Sequence, residues 1–162
     1  MNPLQLSWGV GQTTHIDAMK ETLDSPRNDV EWTTYHDIRR HVLFELRGRG
    51  ASYDVDHPDE RRPAHYPLML WSGKLAVGVI RIDVDERVAI FRRVAIRPEV
   101  QRQGYGRKLL LLAEQFAKRH ACTRIESHVD PGAVTFYERC GYERLADPPP
   151  SGDAVLMGKP IS

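Results

Sequence analysis

Apolar residues in the first third of the chain recur with the spacing of one face of a helix. The helix is predicted to begin near Asn28 and to end at Gly48, because glycine commonly follows the last turn of a helix. Glu31 follows Asn28 by three positions, a spacing that resembles a capping box at a helix start. The apolar positions of this face are Tyr35, Ile38, Val42 and Leu46.

The next part of the chain alternates apolar runs with short turns. A polar, turn-rich loop covers residues 48–63, and three runs rich in Val, Ile and Leu follow it. Turn residues at 72–74 and 85–87 separate the runs, which predicts an antiparallel meander. The predicted strands cover residues 66–71, 75–84 and 88–96, and a short earlier strand is predicted at residues 20–23.

Arg92 interrupts the apolar pattern of the third of these strands. A straight strand would bury its guanidinium among the apolar residues that share its phase. Either Arg92 lies at a sheet surface, or a β-bulge near residues 92–93 resets the register, and we favour the bulge. The apolar residues of this phase are Val88, Ile90, Val94 and Ile96.

An amphipathic helix is predicted after a glycine-containing loop. Pro98 ends the preceding strand because proline cannot donate to a strand ladder. Apolar residues then recur at helical spacing beyond residues 101–106, and a strand at residues 123–129 follows. The apolar face of this helix consists of Leu109, Leu112, Ala113, Phe116 and Ala117.

A last helix is predicted to begin at Asp130, with Asp130 as the N-cap and Pro131 in the first turn. Gly141 is the predicted stop. Two closing strands, at residues 142–145 and 154–159, then flank a proline-rich loop. The predicted inner face of the helix consists of Ala133, Phe136, Tyr137 and Cys140.

The order of these elements is a helix, a three-stranded meander, a helix, a strand, a helix and two strands. This order predicts an α/β (α+β) fold in which helices flank a mixed, largely antiparallel central sheet. Residues 1–18 are interpreted as an N-terminal extension of uncertain role, and residues 19–162 as one domain.

The composition of the chain argues against several classes of protein. The 162 residues include 23 basic and 22 acidic side chains, a balance that does not favour nucleic acid or an anionic membrane as partner. We find no apolar run long enough to span a membrane and no secretory signal, so a cytoplasmic location is expected. Two cysteines and seven histidines show no metal-ligand spacing, so we expect reduced thiols and no metal.

Gly104 and Gly106 stand between a strand end and a helix start. Glycine allows a close backbone approach, and a helix N-terminus attracts anions, so the loop suits a pyrophosphate. Arg102, Arg107 and Lys108 add positive charge around it. Turn geometry alone would explain the glycines equally well. The P-loop and dinucleotide-binding patterns are absent.

Two sequence blocks resemble the GNAT superfamily of N-acetyltransferases. The first is Gln101-x-x-Gly104-x-Gly106, directly after the strand and proline of residues 94–98. The second, residues 133–142 (AVTFYERCGY), resembles the A-x-x-F-Y-E-x-x-G-F/Y segment of that family. One helix and one strand separate the blocks, as in the family, and the resemblance covers residues 68–145.

The resemblance implies acetyl-CoA as the donor and a slot between the strands around residues 94–96 and 125–129. Loop residues 101–107 would hold the pyrophosphate through backbone N–H groups, and Tyr137 would lie near the cofactor sulfur. The family often has Asn where this chain has Asp130, so a contact to the pantetheine arm is in doubt here. The implied cofactor-binding residues are Val94, Ala95, Ile96, Gln101, Arg102, Gln103, Gly104, Tyr105, Gly106, Arg107, Asp130 and Tyr137.

The implied reaction is aminolysis of a thioester, with Tyr137 as the acid that protonates the departing thiolate. A backbone N–H of the bulged strand could stabilise the oxyanion. The candidate bases are Glu126, His128, His57 and His65, with a water chain as an equal alternative.

The acceptor is not identified beyond a primary amine of a small molecule or peptide. Four acidic residues in the loop at 53–60 could attract a cationic amine, but a solvated loop balanced by Arg61 and Arg62 is slightly favoured. The alternatives are a non-catalytic acyl-CoA-binding sensor or regulatory module, and a nucleotide-binding interaction domain. The sequence does not decide between a monomer and a homodimer.

Overall fold

The computed structural model describes residues 21–44, 54–146 and 153–162. The predicted N-terminal extension, the helix end at Gly48 and the proline-rich loop lie outside the described residues, except for the edges of that loop. The strands are β1 (Glu21–Asp24), β2 (His65–Ser72), β3 (Leu75–Asp85), β4 (Val88–Ile96), β5 (Arg124–Val129), β6 (Glu143–Arg144) and β7 (Val155–Pro160). The α-helices are α1 (Asp29–Arg39), α2 (Tyr105–Arg119) and α3 (Val134–Arg139).

The described strands form one sheet in the order β1-β2-β3-β4-β5-β7-β6. All neighbours in this sheet are antiparallel except β4 and β5, which are parallel. The mixed, largely antiparallel sheet and its flanking helices confirm the predicted fold class. Buried side chains of α2 and α3 pack on one face of the sheet with residues such as Phe91 and Ile125. Helix α1 packs on the other face through Tyr35 and Ile38.

Helix α1 begins where the capping pattern predicted. The Asn28 side chain accepts a hydrogen bond from the Glu31 backbone N–H at 2.9 Å. In a capping box the Glu31 carboxylate would accept a hydrogen bond from the backbone N–H of Asn28. Here it accepts instead from the backbone N–H of Arg27, at 3.0 Å. One π-helical turn, Arg40–Phe44, continues α1.

The predicted β-bulge is present in β4. Arg81 pairs with Arg92 and Val79 with Ala95, so Ile80 lies opposite two residues of β4. Arg93, one of these two, has a φ of 57°. The extra residue turns Val94 and Ile96 toward the same core as Phe91, whereas Arg92 stays on the opposite face of the sheet. The bulge thus separates Arg92 from Val94 and Ile96, whereas Ile90 remains on the same face as Arg92.

The last helical segment begins after Asp130, with Pro131 in its first turn as predicted, but this turn is a 3-10 turn and not part of the α-helix. Asp130 precedes a 3-10 turn, Pro131–Ala133, and makes no side-chain capping bond. Helix α3 begins only at Val134, so Val134 and Tyr137 form its buried face. Phe136, predicted to face inward, is instead 38% exposed. The closing strands β6 and β7 are present, although the described part of β6 is shorter than predicted.

Within residues 21–44, 54–146 and 153–162, no helix combines the length and the apolar character needed to cross a membrane. The same residues hold no group of three or more side chains arranged to bind a metal ion.

Candidate active site

Strands β4 and β5 separate halfway along their length. Their parallel ladder runs from Val88↔Arg124 to Phe91↔Ser127, and no later pair joins the two strands. Each strand nevertheless continues, because β4 stays paired with β3 up to Ile96 and β5 with β7 up to Val129. We call the point at Phe91 and Ser127 the fork. Beyond it, the edge of β4 that faces β5 is open for main-chain contacts with an extended ligand.

The glycine loop lies at the far end of this open edge. The side-chain amide of Gln101 donates to the Ile96 carbonyl at 3.0 Å, which ties the loop to the end of β4. Arg102 and Gly104 have φ values of 64° and 88°, and Gly104 is the N-cap of α2. Left-handed residues beside a helix N-terminus turn backbone N–H groups toward a common point, an arrangement that suits an anion.

Aromatic side chains border the loop on two sides. A Cβ added at Gly106 would lie 3.1 Å from Cζ of Phe136, so the exposed Phe136 ring covers the first turn of α2. The Tyr105 hydroxyl donates to Oγ of Ser72 at 3.3 Å, which directs that side chain toward β2. Gln103 and Arg107 are exposed, and Nζ of Lys108 lies 3.2 Å from the Glu21 carboxylate.

Tyr137 lies beneath the fork, on the face of the sheet that carries α2 and α3. Its side chain is buried, and its phenol lies near the hydroxyl of Ser127. Burial raises the pKa of Tyr137 to about 12, although the nearby Ser127 hydroxyl acts in the opposite direction. The phenol is therefore fully protonated at neutral pH and can donate a proton. The Tyr142 ring packs edge-on against it, with centroids 5.3 Å apart.

Glu126 and His128 lie on the opposite face of β5, because side chains alternate along a strand and Ser127 faces Tyr137. His128 lines a cleft on that face. Glu126 is not among the described lining residues, and its carboxylate pairs with Arg124 at 2.7 Å. The structure thus brings His128, but not Glu126, to the cleft. The other candidate bases, His57 and His65, also line it.

The cleft has a volume of about 710 Å³ and is lined largely by charged residues. Strands β3 and β4 form its floor, and the loop before β2 forms one wall. The described lining residues are Arg39, Asp54, His57, Asp59, Glu60, Arg62, Pro63, His65, Arg81, Asp83, Val84, Asp85, Ile90, Phe91, Arg92, Arg93 and His128.

The loop at residues 53–60 was expected to be solvated, but its residue Glu60 is buried. Its carboxylate accepts hydrogen bonds from Tyr35 at 3.0 Å, from Arg81 at 3.4 Å and from Arg39. Burial by itself would raise the pKa of Glu60, but these donors outweigh that effect and lower it. Arg61, expected to balance the loop acids, instead stacks over Trp32 at 5.2 Å.

Asp83 is the second buried carboxylate of the cleft. Arg81 donates to it at 2.7 and 3.0 Å, and Nε of Arg92 donates at 2.8 Å. Arg81, Asp83 and Ser127 were not singled out from the sequence. A signal was nevertheless present, because each is a polar residue inside an apolar strand, and such residues need buried partners.

Comparison with known proteins agrees with this geometry. The model of the acetyltransferase (GNAT) family matches residues 29–142. A protein from Lactobacillus plantarum, provisionally assigned as an N-acetyltransferase, is 28% identical, with coverage of 90% of this chain and 99% of its own and a TM-score of 0.72. Spermidine N-acetyltransferase from Vibrio cholerae, solved with CoA and spermine, is 20% identical, with coverage of 86% and 95% and a TM-score of 0.70.

A third similar structure is the ribosomal-protein-S18-alanine N-acetyltransferase from Escherichia coli, which is 18% identical. The aligned region covers 88% of this chain and 95% of the Escherichia coli protein, with a TM-score of 0.69. The Vibrio cholerae and Escherichia coli structures, each less than 25% identical in sequence to this chain, share its fold. The family match, which covers most of the chain, places the protein among the acyltransferases. It belongs to the acetyltransferase (GNAT) family, as the two sequence blocks predicted.

Proposed function

We propose that the protein transfers the acetyl group of acetyl-CoA to a primary amine of a small molecule or peptide, by direct attack of the amine on the thioester. The observation that carries this proposal is the fork between Phe91 and Ser127, which has Tyr137 on one face and the cleft on the other. A thioester at the fork would be reached by a thiolate acid from one side and by an acceptor from the other.

The donor site suits the shape and charge of CoA. The left-handed residues Arg102 and Gly104 would present N–H groups to the pyrophosphate at the start of α2. The open edge of β4, residues 94–96, would pair with the amides of the pantetheine arm. Phe136 offers an exposed apolar surface beside Gly106. CoA supplies an activated acyl group as a thioester, and this chain's residues would position it.

The reaction needs two proton transfers. The amine nitrogen bonds to the thioester carbonyl carbon and gives up a proton, while the C–S bond breaks and the thiolate takes a proton. We assign the second proton to the Tyr137 phenol, which is protonated and buried. His128 is our candidate acceptor of the amine proton, since it alone of the two predicted β5 bases lines the cleft. The proton returns to Tyr137 through solvent.

Acetyl-CoA binding and amine-dependent thiol release test the proposal. We expect saturable binding of acetyl-CoA by calorimetry, and release of free CoA only in the presence of a suitable amine. The amine panel should contain polyamines, aminoglycosides, amino acids and peptides with free N-termini. Absence of acetyl-CoA binding would refute the proposal. Binding without transfer to any amine would favour the acyl-CoA sensor instead.

A further inference from the structure

The glycine loop is fixed to the sheet at both of its ends. At its start, the side-chain amide of Gln101 donates to the Ile96 carbonyl at 3.0 Å. At its other end, the Tyr105 hydroxyl donates to Oγ of Ser72 at 3.3 Å. Tyr105 is the first residue of α2, so this second bond joins the first turn of the helix to the last residue of β2. The loop residues between these two contacts are exposed.

An ion pair joins the same turn of α2 to the neighbouring strand. Nζ of Lys108 lies 3.2 Å from the carboxylate of Glu21, whose side chain is only 10% exposed. Lys108 follows Tyr105 by three positions, so the two side chains lie on one face of the helix. Glu21 and Ser72 are paired in the ladder of β1 and β2, so their side chains lie on one face of the sheet. The hydrogen bond and the ion pair thus form one contact between these strands and the first turn of α2.

The first turn of α2 is the part of the helix that can donate hydrogen bonds to an anion. The first four N–H groups of a helix have no partner within the helix, and here they follow the left-handed Gly104. A diphosphate bound there depends on the direction of these N–H groups, so a tilt of the turn would weaken several hydrogen bonds together. The Tyr105 ring packs against the core while its hydroxyl bonds Ser72, and these two contacts fix the turn against β2.

We propose that Ser72 is a positioning residue for the diphosphate of CoA. Its bond to the Tyr105 hydroxyl holds the first turn of α2, so that the backbone N–H groups of this turn point at the ligand. Tyr105 acts through this bond and not through contact of its hydroxyl with the cofactor. The proposal rests on the acetyl-CoA site proposed above and adds to it a side chain, Ser72, that the sequence did not single out.

The test measures cofactor binding by calorimetry, without turnover. The probes are acetyl-CoA and 3′-phospho-ADP, the nucleotide half of CoA, which carries the diphosphate but lacks the thioester. Ser72→Ala should raise Kd for both probes by a similar factor, roughly 3- to 10-fold, the usual effect of one lost hydrogen bond. Ser72→Thr, which keeps a hydroxyl, should bind both probes nearly as the wild type does. Thr33→Ala, which removes an exposed hydroxyl from α1, is the control.

A double-mutant cycle assigns the effect to the bond between Tyr105 and Ser72. Tyr105→Phe removes the other partner of the same bond, so it should raise Kd by the same factor as Ser72→Ala. The double variant should bind no more weakly than either single variant, because the two substitutions remove one and the same bond. The ion pair of Glu21 and Lys108 is left intact in all variants, since loss of a charge near the diphosphate would by itself change its binding.

Several results would overturn the proposal and leave the proposed function intact. An unchanged Kd in Ser72→Ala would show that the bond does not position the turn. A larger effect of Tyr105→Phe, or additive effects in the double variant, would mean that the phenol contacts the cofactor directly. No binding of 3′-phospho-ADP to the wild type, or a rise in Kd for acetyl-CoA alone, would remove the diphosphate from this turn. Absence of acetyl-CoA binding by the wild type would instead refute the proposed function, and this proposal with it.

Discussion

The hydroxyl of Ser127 donates to the backbone carbonyl of Phe91 at 3.1 Å, across the last pair of the parallel ladder. The same hydroxyl lies close enough to the buried Tyr137 phenol to act on its pKa, which it lowers against the larger effect of burial. One side chain thus lies between the point where the strands separate and the proposed acid.

Ser127→Ala should lower kcat more than it changes KM for acetyl-CoA. Loss of the hydroxyl removes the polar group beside Tyr137 that also bonds Phe91, and we expect a decrease in kcat of roughly 10-fold, smaller than the ~100-fold that a 1 Å misplacement can cost. The free energy of unfolding should fall by about 1–3 kcal/mol, because the Phe91 carbonyl loses a buried donor. Steady-state kinetics and urea unfolding measure the two effects. Ser127→Thr, which keeps the hydroxyl, should recover much of the activity.

A double-mutant cycle separates positioning from simple loss of stability. If Ser127 acts through Tyr137, then Ser127→Ala should have little further effect on kcat once Tyr137→Phe is present. Equal effects in both backgrounds would show that Ser127 does not act through the phenol.

Tyr137→Phe should lower kcat by roughly 100-fold or more, the usual scale for a lost general acid. The pH profile gives a sharper test. The protonated phenol is the active form, and its pKa is about 12, so activity should not fall with rising pH below about pH 10 on account of this group. A loss of kcat centred between pH 8 and 9 in the wild type, absent in Tyr137→Phe, would contradict the pKa and the assigned role.

The sequence predicted the elements whose signals are local. Asn28 marks a helix start through its own capping bond, and the phase conflict at Arg92 predicted the bulge, since both depend on neighbouring positions. The helix after the glycine loop followed from its apolar spacing in the same way. These features therefore needed no knowledge of the tertiary structure.

The charge network of the cleft could not be predicted this way. Glu60 meets Arg39 and Arg81 only after the loop before β2 folds against the sheet, at a sequence separation of 21 residues in each case. From the sequence alone, Glu60 cannot be distinguished from a solvent-exposed acid of a polar loop. On α3, Tyr137 and Cys140 face the core as predicted, whereas Phe136 is turned outward because a 3-10 turn delays the helix to Val134.

Gly104→Ala should weaken acetyl-CoA binding. Gly104 has a φ of 88°, and although a Cβ added there would meet only open space, the left-handed conformation costs an alanine roughly 1–2 kcal/mol. Relief of this strain would turn the N–H groups at the start of α2 away from the pyrophosphate. Calorimetric titration with acetyl-CoA should show a several-fold rise in Kd. Gly132→Ala, which has open space and no such backbone strain, is the matched control and should bind normally.

Glu60→Gln should destabilise the protein strongly and change how its stability depends on pH. Replacing the carboxylate with an amide leaves the buried positive charges of Arg39 and Arg81 without the negative charge of Glu60. Loss of one partner of a buried ion pair typically costs about 3–5 kcal/mol. The folded protein lowers the pKa of Glu60 below its ordinary value of 4.5, so its contribution is fully present above that value and is lost as the pH falls through the folded pKa. Urea unfolding between pH 7 and pH 3 should therefore show a smaller loss of stability in Glu60→Gln than in the wild type. The exposed Glu138→Gln should follow the wild-type curve, and an unchanged slope in Glu60→Gln would mean that the ion pair does not govern acid stability.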